Sequence, residues 1–186
     1  FHLVESHKEA YPFAFLATYS TAVGQQGTCK HVPLKYALTE YGADNKRLLD
    51  LLGTVHQAAA QSAFLSGLLA SGEIFHPLAL SAGEAYTVLK EIPIYEQAGI
   101  LCRIPNWWKN RTAGLRLNIR IGEAKPSTLG MEALLSFDAG LLLGDEPISE
   151  GEARRLLDEC EGLAFIKGRW VDVDRQKLEQ SLCAYE

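Results

Sequence analysis

Six cations, Arg103, Lys109, Arg111, Arg116, Arg120 and Lys125, stand within residues 103–125 against one anion, Glu123. Trp107 and Trp108 lie in the same stretch. Guanidinium and ammonium groups neutralise phosphates and an indole face stacks on a base, so these eight residues form the candidate nucleic-acid-binding set. A structural reading of the same residues stands beside it. Truncating a core Trp costs roughly 3–5 kcal/mol, whereas stacking a base on one is worth about 1–3 kcal/mol, so at least one ring is expected to be an anchor. Side chains alternate along an extended segment, which predicts one indole inside and the other partly outside. Arg116 and Arg120 also fit the open, solvated face of a sheet.

Other chemistries find little support. There is no GxxxxGK[ST] loop and no GxGxxG turn, so no nucleotide cradle is expected and no cofactor in this segment. His2, His7, His31, His56 and His76 are far apart in sequence, and no HExxH or CxxC spacing appears among them and Cys29, Cys102, Cys160 and Cys183. Neither a metal site nor a disulfide framework is predicted. Glu159 and Glu161 flank Cys160 without a base in reach by sequence, which reads as a helix end rather than a nucleophile. Asp172 and Asp174 would share a side of a regular strand, as a paired-carboxylate device would need. The alternative is a helix cap at Asp174, with Asp172 solvated or paired with Arg169. No catalytic residue is assigned.

At 186 residues and 47% hydrophobic, the chain can bury about 70% of the surface that its unfolded form exposes. Net charge is −5, from 18 basic and 23 acidic residues, and the residues outside 103–125 carry −10. One basic face on an acidic body is the expectation, rather than a surface that attracts nucleic acid throughout. The apolar run 12–19 is far shorter than the ~20 residues of a membrane span and no signal peptide opens the chain, so a cytoplasmic protein without membrane contact is expected. The first residue is Phe1 rather than Met, which suggests a piece of a longer polypeptide.

Periodicity sets the elements on which these groups are carried. Residues 12–21 read as a strand and 34–41 as a short helix. Asp44 caps a helix that Gly53 is expected to kink or end, and 55–69 form a second helical stretch closed by Gly72. Residues 74–80 are extended around Pro77. Ser81 and Glu84 make a capping box that opens a helix to about Lys90, and Gly99 closes the next helical piece. Period 2 then takes over: 100–104 is a short strand, and Leu115, Leu117, Ile119 and Ile121 alternate with Arg116, Asn118 and Arg120. Residues 134–143 suit a strand, though the apolar run leaves a helix open. Ser149 and Glu152 form a second capping box. Strands at 163–167 and 170–173 flank a turn at Gly168, and Asp174 caps a terminal helix. The fold class is α+β, helix-rich in the first half and mostly antiparallel sheet with helices in the second. The change at Gly99 suggests subdomains 1–99 and 100–186, with one shared domain as the alternative.

Two tryptophan signatures, Arg103-Ile104-Pro105-Asn106-Trp107-Trp108-Lys109 and Lys167-Gly168-Arg169-Trp170-Val171-Asp172-Val173-Asp174, hold all three tryptophans of the chain. With the Leu-rich helices ending at Ser71-Gly72-Glu73, the stretch 81–89, Glu96-Gln97-Ala98-Gly99-Ile100 and 134–144, they resemble the helicase-associated domain that precedes the motor in bacterial SWI/SNF-type helicase-like ATPases. The resemblance runs over about 48–182. It departs from the family at Asn106, where an acidic residue is expected. It implies a non-catalytic accessory domain of an ATP-dependent helicase, with the ATP site, magnesium and motor lobes outside these residues. Implied partners are the motor domain of the same polypeptide and DNA or RNA. A protein-interaction or autoinhibitory role without nucleic-acid contact is the alternative, and no catalytic residue is carried over.

Overall fold

The computed structural model describes residues 1–6, 8–20, 31–42, 44–109, 115–121, 137–143, 146–160 and 162–185. The chain divides into two compact units, Phe1–Lys109 and Asn110–Glu186. The division falls after Lys109 rather than at Gly99 because residues 101–103 are tied to the first strand: Leu3 N–H donates to Arg103 O at 2.9 Å and Arg103 N–H to Phe1 O at 2.8 Å.

In the first unit, β1 (His2–Glu5) pairs antiparallel with β2 (Phe13–Leu16), aligning Leu3 with Phe15 and Glu5 with Phe13. The period-2 alternation of β2 sends Phe13 and Phe15 inward, where both are almost fully buried. The strand expected over 12–21 is split at Ala17, whose carbonyl accepts from Leu34 N–H. Beyond the split, β3 (Thr18–Ser20) pairs instead with β4 (His31–Pro33) as a separate ribbon. Then come α1 (Lys35–Glu40) and α2 (Asn45–Ala59), the latter capped by Asp44, which accepts from Arg47 N–H at 3.2 Å.

α2 does not end at Gly53 but continues through it to Ala59. An interior Gly costs about 1 kcal/mol, and the face carrying buried Val55 and Ala58 runs through it. The break comes instead at Ser62, whose hydroxyl accepts from Leu65 N–H to start α3 (Ala63–Ser71). The segment expected to be extended begins with a 3-10 turn, Glu73–Phe75, before β5 (Leu78–Leu80), which pairs with the free edge of β2. The Ser81–Glu84 capping box opens α4 (Ala82–Gln97), which passes beyond Lys90 through Pro93. Proline removes one helical hydrogen bond, yet the apolar face of Ala85, Val88, Leu89, Ile92 and Tyr95 stays buried on both sides of it. Residues 100–104 make a single parallel bridge, His2 with Arg103, rather than a strand. The Trp pair then sits in a helical turn, α5 (Asn106–Lys109), not in extended chain.

In the second unit, β6 (Leu115–Ile121), β7 (Phe137–Leu143) and β8 (Glu146–Ile148) form an antiparallel sheet in that order. The Ser149–Glu152 box starts α6 (Glu150–Glu159), followed by the hairpin of β9 (Leu163–Ile166) and β10 (Arg169–Asp172), and by α7 (Arg175–Tyr185). The hairpin turn needs positive φ at both central residues, met by Lys167 at 48° and Gly168 at 83°. Lys167 also reaches β8, its Nζ donating to Pro147 O at 2.9 Å. Leu141, Leu143, Ile148, Ala153, Ala164, Val173, Leu178 and Leu182 form this unit's core. All strand pairings among the described residues are antiparallel, and the fold class is α+β.

Candidate functional site

The eight candidate residues fall in different places. Arg103, Trp107, Trp108 and Lys109 belong to the first unit, Arg116 and Arg120 are alternate positions of β6 opposite Leu142 and Asp138, and Arg111 and Lys125 lie outside the described residues.

The Trp corner is built from the backbone outward. Trp108 N–H donates to Pro105 O at 3.1 Å, closing the turn that α5 continues. Helical geometry, not strand alternation, separates the two rings, although the outcome of one inside and one half-covered is as expected. Trp108 is 4% exposed and meets Tyr86 of α4 edge-on at 6.1 Å. Trp107 is half-buried, tilted against Phe13 at 6.4 Å and edge-on to Trp108 at 6.0 Å. Its indole N–H donates to Glu5 Oε1 at 2.7 Å. Both rings therefore fasten α5 to the β1–β2 sheet and α4. Lys109 is exposed at the end of this turn.

Arg103 sits elsewhere. Its Nη2 donates to His31 Nε2 at 3.2 Å, and the His2 ring lies 5.9 Å from that of His31. These histidines, expected to be apart, are brought together because β1 and β4 both approach the 101–103 segment. Nothing in the spacing could reveal it, since the register of two ribbons decides it. Burial, reinforced by the neighbouring Arg103 guanidinium, lowers the pKa of His2 below its ordinary value.

Another cluster missed in sequence is Glu91, which accepts from Ser62 Oγ at 2.5 Å and from Tyr95 hydroxyl at 2.7 Å. Burial, then the bond to Glu91, raises the Tyr95 phenol above its usual range. The i, i+4 spacing of Glu91 and Tyr95 was the legible signal. Tyr19 donates to Glu40, and its phenol is pushed up to about 12, first by burial and then by that bond.

Among the carboxylates with a possible pairing role, Asp174 is a cap, accepting from Lys177 N–H at 3.3 Å. Cys160 is the C-cap that follows α6, its N–H donating to Leu156 O. Among the described residues no group of three or more His, Cys, Asp or Glu could hold a metal ion, and no helix is long and apolar enough to cross a membrane.

Comparison with known proteins adds context. A family described as SNF2 Helicase protein matches residues 73–186. A Bacillus subtilis (strain 168) protein that carries the name of a putative ATP-dependent helicase/translocase, YwqA, is 28% identical over 105 residues, covering 54% of this chain. The chain spans only 11% of that relative's length. No solved structure matches the chain.

Proposed function

Because the chain belongs to the SNF2 Helicase protein family, we propose that it is a non-catalytic accessory domain of a bacterial SWI/SNF-type ATP-dependent helicase, contacting nucleic acid, the motor domain, or both, from the cytoplasm. The observation that carries this reading is that the matched region, 73–186, contains the whole cation-rich stretch 103–125. Exposed Arg103 and Lys109 supply charge in the first unit, and Arg116 and Arg120 recur at alternate positions of β6. The Trp corner serves this role as a rigid mount. Its inner ring is buried and its outer indole N–H is engaged by Glu5, so phosphate contacts by the cations, not base stacking, are the main attraction.

Binding of a fluorescent oligonucleotide should fall as salt rises, with a slope set by the number of phosphates neutralised. Replacing Lys109, Arg111, Arg116 and Arg120 by Ala should weaken binding and flatten that slope. No binding at low salt would overturn the reading. The acidic remainder of the chain, with its −10 charge, favours a second reading, an inhibitory contact with a basic motor surface. Deleting the domain from the full-length protein separates the two: a rise in basal ATPase rate supports inhibition, and weaker nucleic-acid binding supports guidance.

A further inference from the structure

A cleft of about 230 Å³ lies in the first unit, between the β3–β4 ribbon, α2 and residues 99–103. Its apolar floor includes Leu51, Val55 and Ile100, and its rim carries His2, His31 and Arg103. None of the described residues lining it is acidic. We infer that this cleft is a binding site for a phosphoryl group, with the Arg103 guanidinium as its permanent cation, His2 and Ser20 as surrounding donors, and His31 as the brace of the guanidinium.

Arginine has five N–H donors in a fixed fork that matches phosphate oxygens, and its charge persists at any physiological pH. One donor, on Nη2, is given to His31 Nε2. A ring nitrogen that accepts carries no proton, so His31 takes the tautomer with its proton on Nδ1, which lies 3.4 Å from Ser20 Oγ. The chain Ser20–His31–Arg103 thus braces the guanidinium at the rim and leaves donors of the fork for an incoming anion. A braced cation loses less freedom on binding than one sweeping through solvent.

The surroundings act in the same direction. Burial and, after it, the Arg103 guanidinium lower the His2 pKa, and that same guanidinium gives the rim a positive potential that favours an anion. The apolar floor keeps local polarity low, which strengthens a charge contact made above it. Tyr19, which also lines the cleft, has its hydroxyl committed to Glu40, so that carboxylate is satisfied by a neutral donor. The phosphoryl group could be inorganic phosphate or one phosphodiester of a nucleic-acid strand. In the second case the inference rests on the proposed nucleic-acid contact, and in the first it stands without it.

The test uses the 186-residue chain with the Phe1 amine acetylated. This removes a charge near the cleft but keeps the N–H that donates to Leu101 O. Imidazole resonances of His2 and His31 are followed by NMR at constant pH and ionic strength, first with inorganic phosphate and then with an oligothymidylate. Saturable shifts of both rings are expected, with an apparent Kd raised at least about tenfold by Arg103→Gln, in line with the worth of a charged hydrogen bond. Arg103→Lys should fall between, since it keeps the charge but loses the fork. Arg103 is exposed and its backbone pairing survives substitution, and unchanged backbone resonances away from the cleft verify this. Shifts with both probes that Arg103→Gln abolishes identify a strand phosphate, and shifts with inorganic phosphate alone identify a free one. Shifts no larger than chloride produces, or shifts indifferent to Arg103→Gln, overturn the inference. If neither probe moves the rings, an oligonucleotide that still binds overturns the inference while leaving the proposed function intact. Ring shifts with phosphate in the absence of any oligonucleotide binding do the reverse.

Discussion

The two tryptophan signatures solve the same problem in opposite ways. The 103–109 corner gathers its partners from distant chain: Glu5 is 102 residues from Trp107, and Phe13 and Tyr86 belong to β2 and α4. In the 167–174 signature the ring contact with Phe165 is local. Trp170 faces Phe165, its cross-strand partner in a hairpin closed by two residues, at 5.2 Å. A ring held by remote partners reports the tertiary fold, and one held within a hairpin reports turn chemistry. Similar motifs therefore carry different information about what would break.

The sharpest way to break the contrast is to remove the rings. Trp108→Ala should cost the first unit roughly 3–5 kcal/mol in urea unfolding followed by circular dichroism. Trp170→Ala, at a half-buried ring, should cost its own unit about 1–3 kcal/mol. Equal losses would mean that the hairpin ring is as deeply committed as the corner.

Turn chemistry can be tested without touching a ring. Gly168→Ala, at φ 83°, should destabilise by about 1–2 kcal/mol, whereas Pro105 and Asn106 are not subject to this penalty because neither has a positive φ. A neutral outcome would show that the hairpin does not depend on its left-handed residue.

The first unit also has a pH signature. The Tyr19 phenol is raised from 10.0 to about 12 in the folded chain, so its contribution is fully present below pH 10 and is lost as pH rises through about 12. Tyr19→Phe should flatten the alkaline fall in stability over that window, with the raised Tyr95 continuing to contribute to it. An unchanged slope would remove Tyr19 from the account. The smallest effect belongs to Glu5→Gln. It weakens one exposed bond to the Trp107 indole and should cost less than about 1 kcal/mol, read most directly as a change in Trp107 fluorescence.

This division of labour also governs what was legible in sequence. Both capping boxes, the Asp44 and Asp174 caps, the strand β6 and the Gly168 turn were readable, because each depends on residues within a few positions. The continuity of α2 through Gly53 and of α4 through Pro93 was not, because buried faces outweigh local penalties. The candidate set was legible as composition, but its partition between a Trp corner and an Arg103 rim was not. That partition depends on Glu5, His2 and His31 arriving from strands whose register no local pattern encodes.

Among the described residues, the small sheet of the second unit ends in β8, and its middle residue there is Pro147. Proline brings no amide hydrogen, and its carbonyl is already occupied by the Lys167 ammonium. An intruding strand from a neighbouring molecule would find neither the donor nor the open acceptor that it needs to extend the ladder at that point. The tether that steadies the hairpin thus also guards this border against fibre-like self-association.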